Sequence, residues 1–248
     1  MLKNPVIYHQ ICEAKSNNKK YFAILIDPDK IGKAQVYDLV KLAQDAGADL
    51  FLLGGSLVVN DILDELISEI KRISHIPVIL FPGSSRQLSY NADALLFLSL
   101  ISSRNADLLI GKHVESAPFL KRSPLEIIST GYMLIDGGIP TSVSYMSNSN
   151  PIPATKDDIA VCTAMAAELL GMKMIYMDAG SGALNPVSQS MISAVSNAID
   201  IPLIVGGGIK TPESAQKAVL SGADIVVVGN AIEKEPSLIL ELSAAIHS

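Results

Sequence analysis

The amino-acid sequence predicts a single (β/α)₈ TIM barrel spanning residues 1–248. Three observations carry the prediction. Eight short apolar runs recur along the chain. They are continuous instead of alternating, as parallel strands buried on both faces require. Helical patterns fall between most of them. The runs lie, in order, at 22–26, 50–53, 78–81, 94–98, 130–135, 174–177, 203–205 and 225–228. After the first, a helix over 34–46 stops at Gly47. After the second, a helix over 61–73 carries Ile62, Leu63, Leu66 and Ile70 at helical spacing. The fifth run is followed by a long polar segment, 137–155, of a length that goes with a site or an interface. A helix over 158–170 then ends at Gly171, a residue suited to the turn past a helix. Helices over 186–199 and 212–221 follow, the latter with Thr211 as N-cap, Pro212 in its first position and Glu213 in its first turn. An open doubly wound sheet is the alternative. Its glycine fingerprint is missing, because the first run ends in Asp27-Pro28-Asp29-Lys30.

Composition narrows the function. Hydrophobic residues make up 49% of the 248 and charged residues 18%, the latter below the roughly 25% of an average soluble domain. Mean hydropathy is +0.36 and Trp is absent, so the core is aliphatic. A net charge of −6 argues against nucleic-acid binding, which needs a basic face. No stretch approaches the ~18 apolar residues of a membrane span. The first twenty residues hold Lys3, Glu13, Lys15, Lys19 and Lys20 instead of the apolar run of a signal peptide. Cys12 and Cys162 lie far apart without metal spacing, which fits a reduced cytoplasmic protein. High hydropathy with low charge density also predicts a homo-oligomer.

Candidate functional residues cluster where the predicted strands end, the face on which barrel sites form. The sharpest signal is Gly206-Gly207-Gly208 after the seventh strand with Gly229-Asn230 after the eighth. Glycines let the backbone N–H groups approach an anion closely, and a short helix starting near Asn230 aims its positive end at the same place. Asp27, at the end of the first strand, and Ser56, after the second, make a sparse hard-oxygen set suited to Mg²⁺, with Asp29 either part of it or a helix cap. Asp178 follows the sixth strand and is placed to orient or deprotonate a hydroxyl. Tyr176, two residues earlier, either adds a hydrogen bond or packs the barrel. The four histidines suggest neither a triad nor a metal cage, and His113 reads as a surface residue. Leu96, Leu98, Leu100 and Ile101 are candidate lining for an apolar groove, and equally good core residues.

These motifs occur together and in order: Leu25-Ile26-Asp27-Pro28-Asp29-Lys30, Leu53-Gly54-Gly55-Ser56, Phe81-Pro82-Gly83-Ser84, Tyr176 through Gly182, Gly206 through Lys210, and Gly229-Asn230. In this the chain resembles the geranylgeranylglyceryl phosphate synthase family of prenyltransferase barrels, from about Phe22 to about Leu242. The resemblance implies transfer of a polyprenyl group from its diphosphate to the primary hydroxyl of sn-glycerol 1-phosphate, giving an ether lipid precursor. It implies Mg²⁺ at Asp27 and Ser56. It implies glycerol phosphate binding by Tyr176, Met177, Asp178, Ala179, Gly180, Ser181, Gly182, Gly207, Gly208, Gly229 and Asn230, with Asp178 acting on the attacking hydroxyl. Two positions depart from many family members, which carry Lys where this chain has Leu25 and Glu where it has Asp178. The alternatives are a barrel isomerase or lyase acting on a sugar phosphate, which needs Asp136 as partner of Asp27, and a non-catalytic barrel.

Overall fold

The computed structural model describes residues 6–60 and 62–248. Eight parallel strands close into a barrel in chain order: β1 (Tyr21–Ile26), β2 (Leu50–Leu53), β3 (Val78–Leu80), β4 (Ala94–Leu100), β5 (Glu126–Leu134), β6 (Met174–Asp178), β7 (Leu203–Gly206) and β8 (Ile225–Val228). Closure pairs β1 with β8 through Ala23 against Val227. Every strand is buried on both faces. Ala23, Leu50, Leu52, Ile79, Leu96, Ile204 and Val227 fill the interior, while Phe22, Ile24, Phe51, Leu80, Ile175, Val205 and Val226 pack under the helices. That two-sided burial is why the runs read as continuous.

The helices are α1 (Val6–Ser16), α2 (Lys33–Asp45), α3 (Leu63–Ile73), α4 (Lys112–Leu120), α5 (Ser142–Ser147), α6 (Asp157–Leu169), α7 (Gln189–Ser196), α8 (Pro212–Leu220), α9 (Asn230–Lys234) and α10 (Leu238–Ile246). A π-helical turn over Asp107–Gly111 leads into α4. The predicted start of the second helix, Asp61, lies outside the described residues, as does Lys3. Gly171 follows α6 with φ +83°, the left-handed turn expected of it. Thr211 Oγ1 accepts the Ser214 N–H at 3.2 Å to start α8. The seventh helix begins at Gln189 and not at 186, because Ser188 caps it by accepting the Met191 N–H.

Several features went unpredicted, α4 and α10 among them. α1 covers the lower mouth of the barrel with Ile7 and Ile11, its first N–H groups, of Ile7 and Tyr8, donating to the buried Glu126 carboxylate at 2.8 Å. The same Glu126, paired with Ala94, starts β5 four residues before the apolar run. Finally, residues 81–93 join β3 to β4 without a helix. The cavity described next reaches this side of the barrel, to Leu95 and Phe97 of β4.

Candidate active site

A cavity of about 790 Å³ opens at the carboxyl ends of the strands. One wall is polar and one apolar. The polar wall takes Asp27 just after β1, Gly55 and Ser56 after β2, Asp178 from β6, Gly180 to Gly182, Gly207 to Lys210, and Gly229-Asn230 with Glu233 from α9. The apolar wall draws on both faces of β4. Leu96, Leu98 and Leu100 come from inside, Leu95 and Phe97 from outside, with Leu108, Leu120, Val143 and Met146 closing it. Val143 and Met146 belong to α5, so the long segment after the fifth strand folds as a short helix over the cavity instead of remaining an open loop. Ile101 does not line the cavity. It packs under the helices, close to Gly131.

The polar wall is tied together by a few hydrogen bonds. Buried Gln87, from the β3–β4 connection, donates to Gly55 O (2.9 Å) and accepts from the Gly83 N–H (3.1 Å), fixing the β2 and β3 exits to one another. Asp29 does not cap a helix. Its carboxylate accepts the N–H groups of Val59 and Asn60 at 2.7 and 2.9 Å and so anchors the loop before α3. Asp27 alone of that pair points its carboxylate over Gly55. Its Oδ1 accepts the Asp29 N–H (3.1 Å), and its Oδ2 lies 3.1 Å from Lys30 Nζ.

Asp178 sits at the floor. Its Oδ2 accepts the Tyr132 hydroxyl at 2.6 Å and its Oδ1 the Gly180 N–H at 2.7 Å. Burial pushes its carboxyl above the usual carboxylate range, with Tyr132 and Gly180 opposing that push. Tyr132 was not singled out by sequence. The signal was its register, since it lies opposite Tyr176 just as Leu134 lies opposite Asp178. Tyr176 lines the cavity and also packs, stacked on Phe81 at 5.2 Å and edge-on to Tyr132 at 5.4 Å. Met177 and Ala179 turn their side chains to the helix layer, so only their backbones are available to a ligand. Ser181 Oγ donates to Asn230 Oδ1 at 3.0 Å, linking the β6 exit to α9. Lys210 Nζ donates to Leu184 O at 3.1 Å.

His113 is not a surface residue. It lies in α4, 8% exposed, edge-on to Phe97 at 4.4 Å, with Nε2 3.0 Å from Ser99 Oγ. Burial lowers its pKa, leaving a neutral imidazole against the apolar wall.

Gly207 and Gly208 adopt φ +76° and +70°. A Cβ at Gly207 would strike the Asp178 carboxylate and the backbone nitrogens of Ala179 and Gly180 (2.7 and 2.5 Å). The glycine therefore shapes the seat of Asp178 as well as any anion cradle. Gly207→Ala is expected to cost at least ~1–2 kcal/mol from its backbone conformation. Thermal melting should fall by about 2–8 °C and turnover should fall with it. An unchanged melting temperature would contradict that contact.

Fold and cavity together define a barrel enzyme whose site suits an anionic substrate with an apolar partner. The chain belongs to the PcrB family, whose model matches residues 10–246. It is 57% identical to the geranylgeranylglyceryl phosphate synthase of Chitinophaga pinensis, covering 98% of this chain and 96% of that one. It is 41% identical to that of Thermococcus kodakarensis, covering 96% and 94%. The crystal structure of (S)-3-O-geranylgeranylglyceryl phosphate synthase from Thermoplasma acidophilum, in complex with its substrate sn-glycerol-1-phosphate, superposes with a TM-score of 0.92 at 32% identity. It covers 97% of this chain and 98% of that one.

Proposed function

We propose that this protein is a prenyltransferase that joins a polyprenyl group, geranylgeranyl by the names of its relatives, to the primary hydroxyl of sn-glycerol 1-phosphate, releasing diphosphate. The observation that carries the reading is the single cavity in which a glycine-lined polar wall, a buried carboxylate and a deep apolar channel meet. Asp136 speaks against a sugar-phosphate isomerase. It is exposed, accepts the Gly138 N–H at 2.9 Å, and does not line the cavity with Asp27.

In this reading the backbone of Gly207, Gly208, Gly229 and Asn230, with Tyr176, Met177 and Ala179 through Gly182, holds glycerol 1-phosphate by its phosphate. Asp178 receives its hydroxyl at the other end. Each carboxylate oxygen of Asp178 has one protein donor and a second lone pair for the substrate O–H. Burial raises its basicity, which suits a general base. The hydroxyl oxygen bonds to the prenyl C1, the bond from C1 to the diphosphate oxygen breaks, and the hydroxyl proton passes to Asp178. Holding both reactants in one cavity contributes up to ~7–11 kcal/mol through orientation. The β4 channel takes the prenyl tail and excludes water from the reacting carbon.

Among the described residues no group of three or more acidic, His or Cys residues is placed to hold a metal. The residues nonetheless fit Mg²⁺. That ion keeps most of its waters and needs one or two carboxylates plus substrate phosphates, and the Asp27 carboxylate already holds a cation, the Lys30 ammonium. Asp27 and Ser56 would hold it, and it would neutralise charge on the departing diphosphate. The enzyme is expected to work in the cytoplasm, and no helix among the described residues is long and apolar enough to cross a membrane.

Incubating the protein with labelled glycerol 1-phosphate, Mg²⁺ and prenyl diphosphates of several lengths should yield an ether-linked lipid identified by mass spectrometry. No product with any donor would overturn the reading. Self-association is also expected: Leu169 ends α6 at 86% exposure, Leu170 follows it at 77%, and Leu220 ends α8 at 78%, apolar area that goes with an interface. Light scattering at micromolar concentration should give a multiple of 26.3 kDa, and the single-chain mass would contradict this.

A further inference from the structure

Lys30 Nζ lies between two acids from different parts of the chain, 3.1 Å from Asp27 Oδ2 and 3.4 Å from Glu233 Oε2. All three line the cavity, between the exit of β2 and the start of α9. A divalent cation at Asp27 competes with the ammonium for the same carboxylate, since like charges a few ångströms apart repel strongly. Glu233 is already in place to receive the displaced ammonium. The other cations that line the cavity among the described residues are engaged or peripheral. Lys210 is bonded to the Leu184 carbonyl, Lys112 to Glu115 at 3.0 Å, and Arg86 is exposed at the rim. At the inner mouth of β1, position 25 is an apolar Leu beside Gly229, so β1 itself supplies no positive charge there.

We propose that Lys30 is the side chain that binds the diphosphate of the prenyl donor, and that Glu233 is a positioning residue that takes the Lys30 ammonium from Asp27 when the metal enters and holds it toward the leaving group. This rests on the prenyl-transfer reading and adds to it the side chains that carry the leaving group. In the metal-free site Lys30 keeps Asp27 neutralised. In the loaded site the pair Lys30–Glu233 leaves the Asp27 carboxylate free for the metal.

The test uses the full chain and three binding measurements besides turnover. These are Mn²⁺ binding by electron paramagnetic resonance without substrates, calorimetry with Mg²⁺ and a non-reactive geranylgeranyl thiolodiphosphate, and calorimetry with glycerol 1-phosphate alone. Lys30→Met removes the competing ammonium. It should tighten Mn²⁺ binding and weaken the thiolodiphosphate by about tenfold or more, the value of one lost charge-assisted hydrogen bond. Glycerol 1-phosphate binding should stay within about twofold by the same arithmetic. Glu233→Gln leaves Lys30 on Asp27 and should weaken both Mn²⁺ and the thiolodiphosphate, with Glu233→Asp recovering part of each. Melting curves of these half-exposed variants should match the parent. If wild type binds both probes while Lys30→Met or Glu233→Gln moves neither, the assignment of these two residues is overturned and the prenyl-transfer reading stands. If wild type binds no thiolodiphosphate, both fall together.

Discussion

Asp27→Asn is expected to slow turnover by about 10²–10³-fold, equivalent to several kcal/mol of lost stabilisation of the departing diphosphate. The substitution keeps the shape of the side chain and removes its charge. Nothing in the fold depends on that charge. The carboxylate accepts one neighbouring N–H, from Asp29, and pairs with a half-exposed Lys30, an ion pair of the kind worth about 0–1 kcal/mol. The melting temperature should therefore stay within about 4 °C of the parent, and calorimetry should show glycerol 1-phosphate binding nearly unchanged. Steady-state rates across a Mg²⁺ titration should show the metal requirement weakened or lost. Wild-type turnover with an intact Mg²⁺ dependence would remove Asp27 from the metal site.

Asp178→Asn is expected to act on the other reactant. An amide cannot take up the hydroxyl proton, and loss of a general base costs typically ~10²–10⁴-fold in rate. It also upsets the local donor count. The carboxylate accepts from both Tyr132 and Gly180, whereas an amide has one acceptor and must turn its N–H₂ toward one of those donors, at about 1–3 kcal/mol. Turnover should collapse while the phosphate end of glycerol 1-phosphate still binds. Tyr132→Phe gives a milder and more diagnostic change. The Tyr132 hydroxyl stabilises the carboxylate form of Asp178 against the burial that disfavours it. Removing it raises the Asp178 pKa further, so the carboxylate persists only at higher pH. The acid limb of the rate–pH profile should move up in Tyr132→Phe, and an unmoved limb would mean that Asp178 does not titrate in the reaction.

Much of this architecture is legible in the sequence. A parallel strand buried between core and helices must be apolar on both faces, so residues such as Phe22 through Ile26 and Ile225 through Val228 announce themselves. Turn chemistry is local, so Gly171 and Thr211-Pro212 mark helix ends in the chain as they do in space. α1 was hidden because its apolar stripe is short and its anchor, Glu126, lies on a distant strand. α4 was hidden because a π-helical turn and the internal Pro118 break its pattern. His113 was misread for the same reason: without that helix there was no face to bury it.

Local chain chemistry is enough to set out the eight strands, the exits that carry Asp27, Ser56, Asp178 and the paired glycine loops, and the family these motifs resemble. Each depends only on residues adjacent in the chain. Tertiary structure alone decided which of these groups meet. Closure of β8 onto β1 brings Glu233 to Lys30, and the register of β5 on β6 sets the Tyr132 hydroxyl on Asp178. The cavity is lined by residues of both faces of β4, next to a β3–β4 connection that holds no helix. Pairings of this kind depend on barrel closure and strand register, which are set by the packing of the whole core at once and leave no local pattern to read.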